Sequence, residues 1–347
     1  MPPILPPDVA RGLLARAQRL AGERGSSVLD TVRAVVGLQA QDAPAAALGI
    51  RARRAGSTAA EVDHARFEER SIARTWAMRG TLHLLPAEDV RWMVALLGPV
   101  ALARNRKRIA EMGVESPEAL AAVRAALADG PRTRHEVAEA VRASGVRIAD
   151  HPQAPAHLIG RAALAGQVIE AMPAGAYALT DDWLGPPSEP LPDRDAAITE
   201  LARRHARAHP PAGPEDFAAW SGLGLRDARR AYEQIAGELD QVEVLGRSAW
   251  VPRGLEPAPK HVRLLPAFDG ILLGHRDREL IVRPEHGRDV LPGGGILRPT
   301  LLVDGRVEGT WKLDRGRPRV TPFSAAPDLD DEVADVERFR AGHTAAA

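Results

Sequence analysis

Residues 117–179, PEALAAVRAALADGPRTRHEVAEAVRASGVRIADHPQAPAHLIGRAALAGQVIEAMPAGAYAL, hold a complete folding plan. Ala119 to Leu127 has the apolar spacing of a helix, and Asp129-Gly130-Pro131 breaks it. Thr133-Arg134-His135-Glu136 opens the next helix with a capping box, Thr133 bonding forward and Glu136 back. Pro155 to Gln167 supplies a third helix. Val168-Ile169-Glu170 and Tyr177-Ala178-Leu179, joined by a Pro-Gly turn, form a hairpin. Helices, turn and hairpin in this order make a helix-turn-helix with a β wing.

The plan recurs on both sides. After the proline-rich boundary Gly185-Pro186-Pro187-Ser188-Glu189-Pro190-Leu191-Pro192, a helix covers Asp195 to His209 and another starts near Pro214. Gly222-Leu223-Gly224 turns into a helix reaching Glu238, and strands at Val242–Leu245 and Ala249–Val251 close the unit. Upstream, Val28, Val32 and Val35 share a helical face behind Ser27, with Asp30 three residues on, and a second helix runs from Pro44 to Arg54. Ser71 to Met78 then alternates like a strand, and Gly80 interrupts it before Thr81-Leu82-His83-Leu84. Alternation puts Thr75, Arg79 and His83 on one face and Ile72, Trp76 and Met78 on the other.

From His261 the chain turns to β. Val262–Leu265 and Gly270–Gly274 read as strands. Ile296–Val303 and Arg306–Leu313 flank Asp304-Gly305, a strong hairpin signal, and Asp314-Arg315-Gly316-Arg317 turns into a strand ending at Phe323. The final segment is acidic, then Ala-rich, and is expected to be loosely held. The expected class is α+β, three tandem winged helix-turn-helix units around a C-terminal β-rich, barrel-like subdomain. Its segments are 6–97, 117–184, 193–253, 261–323 and a tail at 324–347.

The 347 residues suffice for two or three domains, and 45% hydrophobic with 27% charged residues is the composition of a globular protein. No run of about 18 apolar residues appears, and Met1-Pro2-Pro3-Ile4 has no signal-peptide pattern, so a cytoplasmic location and no membrane partner are expected. The absence of cysteine excludes disulfides, thiolate catalysis and Cys-ligated zinc. Net charge is zero, which does not exclude nucleic acid, because the distribution of charge matters more. Lysine occurs only at 107, 260 and 312, leaving few candidates for Schiff-base chemistry. His151, His157, His205 and His209 lack metal-site spacing, and Pro292-Gly293-Gly294-Gly295 is followed by no Gly-Lys-Ser/Thr. No metal and no cofactor are expected.

Two features carry candidate chemistry. In Gly37-Leu38-Gln39-Ala40-Gln41-Asp42, between two helices, an extended turn would point Gln39 and Gln41 the same way, since side chains alternate with period two. The pair either projects two carboxamides into a shared cleft or caps helix ends. Arg298, Arg306, Lys312, Arg315, Arg317 and Arg319 crowd the C-terminal hairpin. They fit phosphate contacts and equally fit a solvated edge strand protected by charge.

Four blocks in order carry a resemblance: Gly37-Leu38-Gln39-Ala40-Gln41-Asp42, Arg74-Thr75-Trp76-Ala77-Met78-Arg79-Gly80-Thr81-Leu82-His83, Leu265-Pro266-Ala267-Phe268-Asp269 and Pro292-Gly293-Gly294-Gly295-Ile296-Leu297-Arg298-Pro299. From Pro6 to Phe323 the chain resembles the tandem winged-helix superfamily of bacterial DNA glycosylases, the AlkZ and YcaQ (AlkX) family. Gln39-Ala40-Gln41 is similar to the Gln-aliphatic-Gln motif of its AlkZ-like branch, with Ala40 at the small end of the aliphatic class. The resemblance implies a monofunctional glycosylase that removes N7-alkylated purines, bulky adducts or interstrand crosslinks from double-stranded DNA. Its role would be repair or self-resistance to a genotoxic product, in a nucleoid-associated monomer without an obligatory protein partner. It implies catalytic roles for Gln39 and Gln41 and leaves Asp42 as a turn or cap residue. Arg79, His83, Arg298, Lys312, Arg315, Arg317 and Arg319 become candidates for DNA binding. The alternative is a winged-helix transcription regulator without enzymatic activity, which gives the glutamines no special task.

Overall fold

The computed structural model describes residues 2–172, 175–187, 189–325 and 327–341. Pro173 and Ala174 of the expected hairpin turn, Ser188 of the expected boundary and the Ala-rich end at 342–347 lie outside the described residues. Helix α1 (Pro7–Ala17) precedes α2 (Val28–Ala34), β1 (Leu38–Gln39), α3 (Ala43–Arg53), α4 (Ala59–Phe67), β2 (Ile72–Trp76) and β3 (Leu82–Pro86). Next come α5 (Ala87–Arg104) and α6 (Arg106–Glu111). The same order of elements repeats in α7 (Pro117–Ala126), β4 (Arg132–Thr133), α8 (Arg134–Ala143), α9 (Ala154–Leu164), β5 (Val168–Met172) and β6 (Ala176–Leu179), with α10 (Thr180–Leu184) after it. The third run is α11 (Arg194–Ala208), α12 (Pro214–Ser221), α13 (Leu225–Ile235), β7 (Leu239–Val244) and β8 (Arg247–Pro252). It continues through β9 (Val262–Leu265), α14 (Gly287–Val290), β10 (Thr300–Val303), β11 (Arg306–Asp314), β12 (Arg317–Pro322) and α15 (Asp330–Ala341). Among the described residues no helix is long and apolar enough to cross a membrane.

The chain divides into two compact units, one spanning Asp63–Ala197 and the other built from the chain up to Val62 and from Ile198 onward. In the first, the capping box at Thr133 forms as the sequence predicts: Glu136 N donates to Thr133 Oγ1 (3.3 Å) and Thr133 N to Glu136 Oε2 (2.8 Å). The winged sheet has the order β4-β6-β5. Val123, Leu127, Val137, Val141, Leu158 and Ile159 fill its core at 0% exposure, each side chain contributing about 1.5–3 kcal/mol by leaving water. Strands β2 and β3 pair antiparallel with Thr75 opposite His83. Helix α5 crosses α9 at Gly98, where a Cβ would meet the Leu164 carbonyl oxygen at 2.0 Å, so only glycine permits the approach.

In the second unit, the Ala212–Trp250 bridge (3.1 and 2.9 Å) occupies the place that β4 has in the 117–179 copy. The C-terminal strands form an open antiparallel sheet of order β12-β11-β10-β9, in place of the expected barrel-like arrangement. Its hairpin turns place Asp304 (φ 48°) and Gly305 (φ 77°), then Arg315 (φ 48°) and Gly316 (φ 89°), in the left-handed region that two-residue hairpins require. Leu265, Leu302 and Val307 belong to a core with Ile271 and Ile281, while Leu264, Leu301 and Trp311 pack under Val336 of α15. Two expectations are corrected. Gly270–Leu272 is a 3₁₀ turn capped by Asp269, since the Asp269 carboxylate takes the Ile271 N–H (3.0 Å) and starts a helical turn. The acidic end is docked: Glu332 and Asp335 reach Arg51 (3.2 and 2.8 Å), and Phe339 is buried.

Candidate active site

The glutamine turn is built by what surrounds it. Helix α2 ends on two left-handed residues, Val36 (φ 59°) and Gly37 (φ 90°), with Gly37 N–H returning to Val32 O at 2.9 Å. Glycine takes this conformation freely; a β-branched valine is strained in it by about 1–3 kcal/mol. Leu38 and Gln39 form β1, and the chain bends at Gln41 and Asp42. Leu38 is buried, Gln39 half-buried, Ala40 buried and Gln41 exposed. Leu38 and Ala40 therefore face the core, while Gln39 is partly and Gln41 more fully open to solvent. Asp42 caps α3, its Oδ1 accepting from Ala45 N (3.0 Å), and Pro44 takes the second helical position, where its missing N–H costs nothing. Between Leu38 and Leu48 Asp42 is the one ionisable residue, and capping employs it.

Helix α3, which starts at this turn, is fastened by two fully buried arginines. Arg53 donates from Nη1 to Asp269 Oδ2 (2.8 Å) and from Nη2 to Asp269 Oδ1 (2.7 Å) and to Gln18 Oε1 (2.9 Å). Gln18 Nε2 in turn donates to Ala208 O (2.7 Å). Arg51 donates to Leu264 O (2.6 Å) and joins the two acids of α15. Such fork-to-fork pairs fix direction as well as distance, so α3 has little freedom to turn. Buried charged residues on a helix break the amphipathic pattern, and for that reason the sequence alone did not expose this network. The one visible signal was the Leu265–Asp269 block.

The four blocks have a common backbone character. Val36 beside the first, Arg79 (φ 57°) in the second and Phe268 (φ 60°) in the third are left-handed without being glycine, and Gly293, Gly294 and Gly295 are all left-handed in the fourth. They mark places where the chain turns sharply and must turn the same way.

The expected DNA contacts separate into four groups. Lys312, Arg315, Arg317 and Arg319 are exposed on the β11–β12 hairpin, with Lys312 directly opposite Arg319. Like charges facing each other across a hairpin are unfavourable for the fold alone. Arg317 pairs with Glu337 (2.7 Å) and Arg319 lies 3.5 Å from Asp314, both at the surface, where such pairs are worth about 0–1 kcal/mol and exchange readily. Arg298 is exposed on the Gly-rich turn and donates to Asp289 O (3.1 Å). Arg79 does not sit on a strand face; it occupies the half-buried left-handed turn Met78–Gly80.

His83 is corrected. It is 3% exposed, its Nδ1 bonds Thr81 O (2.9 Å), and burial, with the Arg79 charge adding to it, pushes the imidazole down to about 3. The neutral ring holds the turn and brings no positive charge to a phosphate.

Comparison with known proteins agrees with the resemblance. The family model described as DNA glycosylase AlkZ-like matches residues 32–339, almost the whole of the described chain. The chain belongs to the AlkZ-like DNA glycosylases. It is accordingly an enzyme acting on N-glycosyl bonds in DNA. A protein of Streptomyces sahachiroi named interstrand DNA cross-link repair glycosylase is 28% identical, over 92% of this chain and 91% of its own length. The solved structure of Streptomyces sahachiroi DNA glycosylase AlkZ shares the fold, with a TM-score of 0.82, 24% identity and 97% of each chain covered. AlkZ-like membership leaves the regulator alternative without support.

Proposed function

We propose that this AlkZ-like protein excises N7-alkylated purines, crosslinked ones included, from double-stranded DNA, with Gln39 and Gln41 as its catalytic pair. The observation that carries the proposal is the burial sequence at 38–41: two neutral amides turned out from the core at a fixed turn whose only carboxylate is occupied as a helix cap.

Alkylation at N7 makes the purine cationic. When the bond from N9 to C1′ breaks, its electron pair neutralises the ring, so no general acid is needed. The sugar is left electron-poor, and water attacks C1′ while its proton passes to solvent. Carboxamide oxygens can orient that water and place the negative ends of their dipoles toward the cationic sugar, with no reorganisation during the reaction. They keep the same charge across the physiological pH range. The Streptomyces sahachiroi relative, named an interstrand DNA cross-link repair glycosylase, favours bulky substrates. Phosphates would be held by Lys312, Arg315, Arg317, Arg319 and Arg298, with Arg79 at the β2–β3 turn.

The test is incubation of purified protein with duplex DNA containing N7-methylguanine, followed by hot alkali to cleave abasic sites. Strand breaks at the modified guanine are expected. Intact strands for this and for bulkier N7 adducts would overturn the substrate assignment.

A further inference from the structure

The junction of α5 and α6 reads Arg104-Asn105-Arg106-Lys107-Arg108, and no aspartate or glutamate occurs between Asp89 and Glu111. Arg108 is engaged, with Glu111 (3.1 Å) and with the Gln153 side chain. Arg104, Arg106 and Lys107 are exposed, and among the described residues none has a carboxylate within ion-pair reach. Arg104 suits the last turn of α5, but helix stability does not account for Arg106 and Lys107. Arg106 and Lys107 stand in the first turn of α6, where cations oppose the helix dipole, and no acidic residue balances them there.

The segment is firmly held. Ile109 and Met112 are buried in the core of the 117–179 winged helix, so the cations project from anchored backbone. The segment also adjoins a matched block. A Cβ on Gly80 would lie 3.1 Å from the Ala101 Cβ and 3.6 Å from the Asn105 amide, which places the Arg79-Gly80 turn against the last turn of α5.

We infer that Arg104, Arg106 and Lys107 form a DNA-backbone site beside the Arg79 turn, taking phosphodiester groups of the substrate duplex. The inference deepens the proposed function by adding a contact surface outside the basic hairpin. Three exposed cations with no carboxylate partner among the described residues lose only counterions when they meet phosphates, and each neutralised phosphate steepens the salt dependence by about 0.9.

The experiment is fluorescence anisotropy with the full-length protein and duplex DNA, with and without N7-methylguanine, between about 50 and 200 mM salt. The variant is R104Q/R106Q/K107Q, and the control of equal charge change is R19Q/R207Q/R253Q. The slope of log affinity against log salt is expected to become shallower by about 2.7 in the first variant, so wild type loses about 40-fold more affinity across the range. The control should change less than half as much. Single-turnover excision at saturating DNA should be unchanged, and the DNA concentration for half-saturation should rise. An unchanged slope, or an equal loss in the control, would overturn the site. Should the triple variant unfold, the three single substitutions carry the test, each expected to flatten the slope by about 0.9. The binding slope needs no excision, so it can fail while the excision proposal stands, and the reverse.

Discussion

Replacing Asp269 with alanine removes both carboxylate oxygens that hold Arg53, at 2.7 and 2.8 Å, and the acceptor of the Ile271 N–H at 3.0 Å. Arg53 and Asp269 have fully buried side chains, so water cannot replace the lost partner. Arg53 keeps Gln18 and the Gly49 carbonyl, both neutral acceptors. Leaving a buried guanidinium without its counter-ion costs about 3–5 kcal/mol. For a cooperative unit of this size, each kcal/mol lowers Tm by about 2–4 °C, so Asp269→Ala should lose about 6–20 °C. Thermal unfolding followed by circular dichroism is the assay. The double substitution Arg53→Met, Asp269→Leu removes both charges and should recover most of the loss, because the penalty lies in the unpaired charge. A Tm within about 2 °C of wild type for Asp269→Ala, or no recovery in the double variant, would refute the role given to this pair.

Other outcomes follow from the same geometry. Asp42→Ala should cost about 1 kcal/mol through loss of the cap, whereas Asp42→Asn keeps the cap and should retain near-wild-type excision; a large loss of rate in the asparagine variant would make Asp42 catalytic. Gly98→Ala puts a methyl 2.0 Å from the Leu164 carbonyl oxygen, and a loss of about 1–3 kcal/mol or more is expected in denaturant melts. His83 and His205, pushed by burial to about 3 and about 4, stay neutral in the fold while the unfolded chain takes up protons below about 6.5. Their contribution to stability is therefore complete above pH 6.5 and declines as pH falls toward 3, by at most about 1.4 kcal/mol per unit for each histidine; melts of His83→Asn should show a flatter pH dependence, and an unchanged slope would contradict the assignment.

The winged helices were legible because their signals are local. Thr133 and Glu136 form the predicted capping box, Asp304-Gly305 turns its hairpin, and Asp42 caps as its position before Ala43-Pro44 suggests. The glutamine turn was legible in part: Leu38 and Ala40 are buried and Gln41 is exposed, but the chain bends at Gln41 and does not run on extended. What escaped depends on distant partners. His83 alternates with Thr75 as expected, yet nothing nearby in sequence says that its face is closed to water. Arg79 looks like strand until the left-handed turn is seen. The acidic end looked like a tail because Glu332 and Asp335 find Arg51 across gaps of 281 and 284 residues, and Arg53 meets Asp269 across a gap of 216. Polar residues with such partners carry no periodic signature.

The central claim is that two neutral amides perform the excision. Single-turnover excision of N7-methylguanine by the Gln39→Ala, Gln41→Ala double variant, at saturating DNA, tests it most directly. A rate lower by about 100-fold or more, with DNA affinity and Tm near wild type, is the predicted result. Excision at the wild-type rate would contradict it.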